Sequence, residues 1–134
     1  MTTIKHLLEH HKGYFYLACL WTLFIAYLCL TDFSKLPKLG LGGLDKSVHF
    51  ILHFFFTLLW YLHTKTANKT KWNMVFVVVV IDVVYGSLIE VGQAIFTTTR
   101  KADVLDVLAN SVGTAAAVIG IYIFQHFQRK ADLK

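Results

Sequence analysis

Between positions 82 and 113 the sequence reads DVVYGSLIEVGQAIFTTTRKADVLDVLANSVG. Asp82, Glu90, Asp103, Asp106 and Asn110 stand here in a chain that otherwise reads as soluble in lipid. Polar groups in such surroundings are costly and need partners, so they mark a functional site by default. Upstream, Asp45, His49 and His53 follow at i, i+4 and i+8, which places them on one helical face.

These residue types offer several chemistries. Lys46 and Arg100 suit phosphate or carboxylate, Arg100 through its planar fork. Asp45, Glu90, Gln93, Asp106 and Asn110 suit sugar hydroxyls or amines. His49 beside Asp45 has the form of a general base oriented by a carboxylate, with Glu90 as the acid. There is no GxSxG and no reactive cysteine, so a covalent mechanism lacks a nucleophile. A metal set of His49, Glu90 and Asp106 matches no known spacing, and no metal or cofactor is expected. Each residue also has a blander role. Asp103 suits a helix N-cap. His49 and His53 suit hydrogen bonds between helices. His63 suits the membrane interface beside Trp60 and Tyr61.

Four apolar runs position these groups. Residues 14–30 contain no ionisable acid or base other than tyrosine and cysteine, and form an uncleaved first span, since no small-x-small cleavage site follows. Residues 31–44 hold the only proline and three glycines and form a loop. Residues 45–63 make the second span. Residues 72–96 make the third, where Asp82, Gly86, Glu90 and Gln93 share a face; the length of the run and its lack of breakers favour helix over strand despite VFVVVVIDVV. Residues 103–125 make the fourth, with Asp103, Asp106, Asn110, Gly113 and Ala117 on one stripe and close packing expected through Gly113, Ala117 and Gly120.

The whole chain agrees with that division. Its 134 residues are 56% hydrophobic with only 16% charged, and mean hydropathy is +0.56. A soluble domain is less apolar and more charged. The expected fold is an all-α membrane protein: a bundle of four transmembrane helices spanning 14–126, with tails at 1–13 and 127–134. The net charge of +5 comes from basic residues scattered between apolar runs, not from a nucleic-acid-binding patch. Cys19 and Cys29 lie about 15 Å apart along one helix, too far for a disulfide. They read as small apolar residues.

Positive charge sets orientation. Lys5, Lys12, Lys65, Lys69, Lys71, Arg129, Lys130 and Lys134 fall on one side. Lys35, Lys38, Lys46, Arg100 and Lys101 fall on the other, partly balanced by Asp32, Asp45 and Asp103. Both termini are therefore expected in the cytoplasm, with the polar groups of spans two, three and four meeting near the outer surface.

Three motifs in order, Asp45-Lys46 with His49-Phe50, Glu90-x-x-Gln93, and Arg100-x-x-Asp103-x-x-Asp106 with Asn110 and Gly113, resemble the VanZ-like family of small bacterial membrane proteins. Thr97-Thr98-Thr99 stand before Arg100, where that family often has proline or glycine. Asp82 and His53 lie outside the shared pattern. The resemblance implies a multi-pass protein of the bacterial cytoplasmic membrane, linked to resistance to teicoplanin, a glycopeptide with an acyl tail. Its partners would be membrane lipids and a lipoglycopeptide or lipid-linked cell-wall precursor. The ligand-binding set is then Asp45, Lys46, His49, Glu90, Gln93, Arg100, Asp103, Asp106 and Asn110. Binding ranks first among the functions. A membrane-embedded hydrolase or transferase using His49, Asp45 and Glu90 ranks second. A structural polar network or small carrier follows.

The charge bias makes a direct prediction. A cysteine placed at Lys69 should react with a membrane-impermeant thiol reagent only after the membrane is opened, and one at Lys101 should react in intact cells. Labelling of position 69 from outside would reverse the orientation.

Overall fold

A computed structural model describes residues 2–31, 44–66, 72–97 and 103–131. Four α-helices follow one another: α1 (Thr2–Leu30), α2 (Leu44–Thr66), α3 (Trp72–Phe96) and α4 (Val104–Ala131), with no strand among the described residues. Three are long and apolar enough to cross a membrane, over Lys12–Leu30, Trp72–Phe96 and Val104–Ala131. At about 1.5 Å per residue, α2 is also long enough, roughly 34 Å. It is less apolar because Asp45, Lys46 and three histidines interrupt it. The loops containing Arg100 and Lys101 lie outside the described residues, as does the segment 32–43.

The position of α2 explains how it tolerates those interruptions. It packs against α1, α3 and α4, whereas α1 and α4 do not meet among the described residues. His49, His53 and Thr57, four residues apart, are all buried along its length. The side of the bundle away from this axis is apolar and exposed: Leu20, Leu23, Phe76, Leu88, Ile95, Ile119 and Phe127 all point outwards. That distribution inverts a soluble protein and suits lipid.

Two apolar clusters pack the helices together. Ile25 and Cys29 of α1 pack with Leu52 and Phe56 of α2 and Ile89 of α3. Farther along α2, Tyr61, Val75 and Ile121 join α2, α3 and α4. Hydrogen bonds fasten α1 to its neighbours: Trp21 Nε1 donates to the Leu52 carbonyl (2.9 Å), Trp60 Nε1 to Thr22 Oγ1 (3.2 Å) and Tyr85 Oη to the Thr22 carbonyl (2.6 Å). His63 packs against Phe15 and Trp60, with ring centroids 5.2 and 5.9 Å away.

The expected small-residue stripe of α4 is only partly an interface. A Cβ on Gly113 would lie 2.2 Å from the Phe50 carbonyl oxygen, so the backbones of α2 and α4 touch there. Ala117 is buried. Gly120 is exposed, with nothing within 4 Å of a Cβ, so it packs against no helix among the described residues. Seven residues return to within about 20° of the same face, so the helical period alone does not uncover position 120.

Gly113→Ala should therefore push two backbones apart and cost about 1–3 kcal/mol or more, as overpacking does. Gly120→Ala should leave stability unchanged or raise it by about 0.5–1 kcal/mol, the helix preference for alanine. Unfolding of both variants in detergent, compared with the parent, checks the contrast.

Candidate functional site

Helix periodicity builds the site from three stripes. On α2, Asp45, His49, His53 and Thr57 repeat every four residues. On α3, Asp82, Gly86, Glu90 and Gln93 are all buried. On α4, Asp106, Asn110 and Thr114 are all buried, again four residues apart. Sequential helices run in opposite directions, so the start of α2, the end of α3 and the start of α4 lie together.

At that shared end the groups form one layer. Lys46 Nζ bridges α2 to α4, 3.1 Å from Asp103 Oδ2 and 3.2 Å from Asp106 Oδ1. Asp103 is the N-cap of α4: Oδ1 accepts from the Leu105 amide at 2.8 Å. That amide first, and the Lys46 ammonium second, hold the Asp103 carboxyl below the usual carboxylate range. A carboxyl with a lowered value helps folding fully above its ordinary pKa, and its help is lost as pH falls through the lowered value. The cap and the ion pair occupy one side chain together.

His49 lies beneath this rim and is almost wholly enclosed, at 1% exposure. Its Nδ1 is 3.1 Å from Asn110 Oδ1 and 3.6 Å from Glu90 Oε1. Its Nε2 is 3.9 Å from Asp106 Oδ2. The Asp103 amide approaches Glu90 Oε2 at 3.5 Å. Among the described residues, Glu90 Oε1 and Gln93 Nε2 are buried without a hydrogen-bond partner. The layer thus unites Asp45, Lys46 and His49 of α2, Glu90 of α3, and Asp106 and Asn110 of α4, with Asp103 just before α4. Gln93 is buried three residues beyond Glu90. Arg100, expected here, lies outside the described residues.

A second polar centre lies deeper. His53 Nδ1 donates to Asp82 Oδ1 at 2.6 Å. Thr57 Oγ1 donates to Asp82 Oδ2 at 2.9 Å, and Thr114 Oγ1 donates to the same oxygen. Asp82 is completely buried and fully engaged by donors from α2 and α4. Gly86 separates the two centres. A Cβ there would lie 2.9 Å from His53 Cε1 and 3.0 Å from Asn110 Nδ2. The glycine thus admits two side chains.

The two threonines were not anticipated, yet each lies four residues beyond a polar residue on its stripe. That spacing was the available signal. The structure also shows which histidine is held by a carboxylate through a short hydrogen bond. It is His53, through Asp82, whereas the Nδ1 of His49 faces Asn110 and Glu90.

Asp82→Ala should leave His53, Thr57 and Thr114 without their common acceptor. Removing one member of a buried charged group costs about 3–5 kcal/mol, so folded protein should fall sharply in detergent unfolding. Replacing Asp82 and His53 together by leucine should cost less than the sum of the two single changes. Strict additivity would mean that the pair does not hold the helices together.

The model of the VanZ/LLP1 family matches residues 6–125, from the first helix through most of the fourth. Neither a curated protein nor a solved structure matches the chain. The family match covers most of the sequence, and the chain belongs to the VanZ/LLP1 family.

Proposed function

We propose that this VanZ/LLP1 chain crosses the cytoplasmic membrane of a bacterium four times with both termini inside, and that its outward polar layer binds the head of an acylated or lipid-linked ligand. The observation that carries this reading is a groove of about 620 Å³ that starts at Lys46 and Ser47 and continues along Phe50, Ile51, Leu105, Leu108, Ala109 and Val112. It is an open groove, with Ile51, Leu105, Leu108 and Val112 each about half exposed. A charged group sits at one end and an apolar channel between α2 and α4 leads away from it. That combination suits an amphiphile, with an anion at Lys46 and a hydrocarbon chain against the leucines and Val112.

Charge placement supports the orientation, because the basic tails and second loop share the side opposite the layer. The carboxylates of Asp45 and Asp106 suit hydroxyls or amines on the head group, while Arg100 and Gln93 extend the set of candidate contacts. Teicoplanin and lipid-linked cell-wall precursors both combine a polar head with an acyl or isoprenoid chain. A protein that holds such a molecule at the outer surface would alter tolerance to lipoglycopeptides by sequestering or presenting it.

Two substitutions at the groove test the reading. Ala109→Phe fills the channel from its half-buried wall, and Lys46→Met removes the charge at its mouth. Each should lower retained anionic lipid, read by native mass spectrometry of purified protein, by about tenfold, the equivalent of one charge-assisted hydrogen bond. Teicoplanin tolerance should fall in parallel while membrane abundance stays normal. Retention and tolerance unchanged at normal abundance would defeat the proposal.

A further inference from the structure

Asp45 and His49 of α2 and Asp106 of α4 each offer a ligand atom, and the three atoms lie within 4.8 Å of one another. No spacing along the chain advertises this group, because its third member comes from another helix. Carboxylates crowd together in many proteins without an ion, but two further features set this group apart.

The first is the state of His49. Asn110 Oδ1 is an amide oxygen and only accepts, so at 3.1 Å it takes the proton on Nδ1. The lone pair is then on Nε2, on the edge that faces Asp106 Oδ2 at 3.9 Å. That distance is too long for a hydrogen bond. Two metal–ligand bonds of about 2.0–2.2 Å span it. Lys46 does not take the same position, because it engages the other oxygen, Oδ1, of Asp106.

The second is Glu90. Its side chain is 3% exposed, and Oε1 accepts no hydrogen bond among the described residues while standing 3.6 Å from His49 Nδ1. A carboxylate or amide oxygen behind the ring fixes the tautomer of a metal-binding histidine and raises its basicity. Here Asn110 and Glu90 both stand behind the ring, one of them with an oxygen in reserve. Asp103 and Asp106 also share one ammonium, Lys46, among the described residues of the layer.

We propose that Asp45, His49 through Nε2 and Asp106 through Oδ2 form a site for a first-row divalent cation such as Mn²⁺ or Zn²⁺. One imidazole with two carboxylates favours these ions over Mg²⁺ and Ca²⁺, which prefer oxygen ligands alone. Asp45 and Lys46 are only partly buried, so the site opens to the surface beside Lys46, which also lines the groove. A phosphate or carboxylate oxygen of a head group would complete the ion there; that last step alone rests on the ligand reading above.

The cation itself is testable without any lipid. Chelator-treated full-length protein in detergent is titrated with Mn²⁺, and free Mn²⁺ is followed by electron paramagnetic resonance. Saturable uptake of one ion per chain is expected, displaced by Zn²⁺ and not by excess Mg²⁺. Asp45→Asn, at the partly exposed rim, should weaken it at least tenfold without loss of fold. Asn110→Ala should weaken it about 10–100-fold as a positioning residue, and retention of the ion by Asn110→Asp would separate positioning from collapse. Absence of saturable uptake, or uptake unchanged by Asp45→Asn, overturns the site. Lipid retention measured after chelation distinguishes the two readings: lipid held without Mn²⁺ uptake removes the cation and keeps the groove, and Mn²⁺ uptake without retained lipid does the reverse.

Discussion

A carboxylate surrounded by lipid-facing helices has no water to turn to, so every donor it needs must come from the protein. Asp82 meets that constraint with His53 and Thr57 on one neighbour and Thr114 on another. Its two oxygens therefore fix α2, α3 and α4 against one another at the middle of the bundle. Four residues from Asp82, Gly86 leaves room for His53 and Asn110 to lie side by side. One turn further, the same faces bring Glu90, His49 and Asp106 together. The convergence at the end of the bundle is thus a geometric consequence of the register set at its centre.

Close approach at Gly113 works in the same direction. With the Phe50 carbonyl against that glycine, α2 and α4 come near enough for the short reach from Lys46 to Asp103 and Asp106. A wider separation would leave Lys46 to solvent and lipid head groups. The polar layer and the apolar groove beside it are two faces of this one contact. Inward-pointing residues of α2 and α4 make the layer, and the next residues around each helix, Phe50, Ile51, Ala109 and Val112, make the groove.

Much of this was legible in the sequence because helices impose a simple period. The four elements, the shared faces of α3 and α4, and the meeting of Asp45, His49, Glu90, Asp106 and Asn110 follow from offsets of three and four residues together with alternating direction. Contacts between helices were less legible. Lys46 pairs across to α4, a choice that depends on the distance between axes and not on spacing within α2. Gly120 looks like a packing residue by type and by its place seven residues after Gly113, yet no neighbouring helix reaches it among the described residues. Asp82 and His53 could be placed on their faces, yet Thr57 and Thr114 emerged only once three helices were assembled, because a threonine in an apolar run has no feature that announces a partner.

An amphiphile held by the layer and its groove, as proposed, differs from a layer that merely neutralises buried charge. A high-resolution experimental density map of the protein in a lipid nanodisc tests that distinction most directly. The expected result is a head group within hydrogen-bond reach of Lys46, with its chain running between Phe50 and Ile51 of α2 and Leu105, Leu108 and Val112 of α4. A dry layer in which Lys46, Asp103 and Asp106 close over the mouth, with lipid arranged around the bundle but none in the groove, would contradict it.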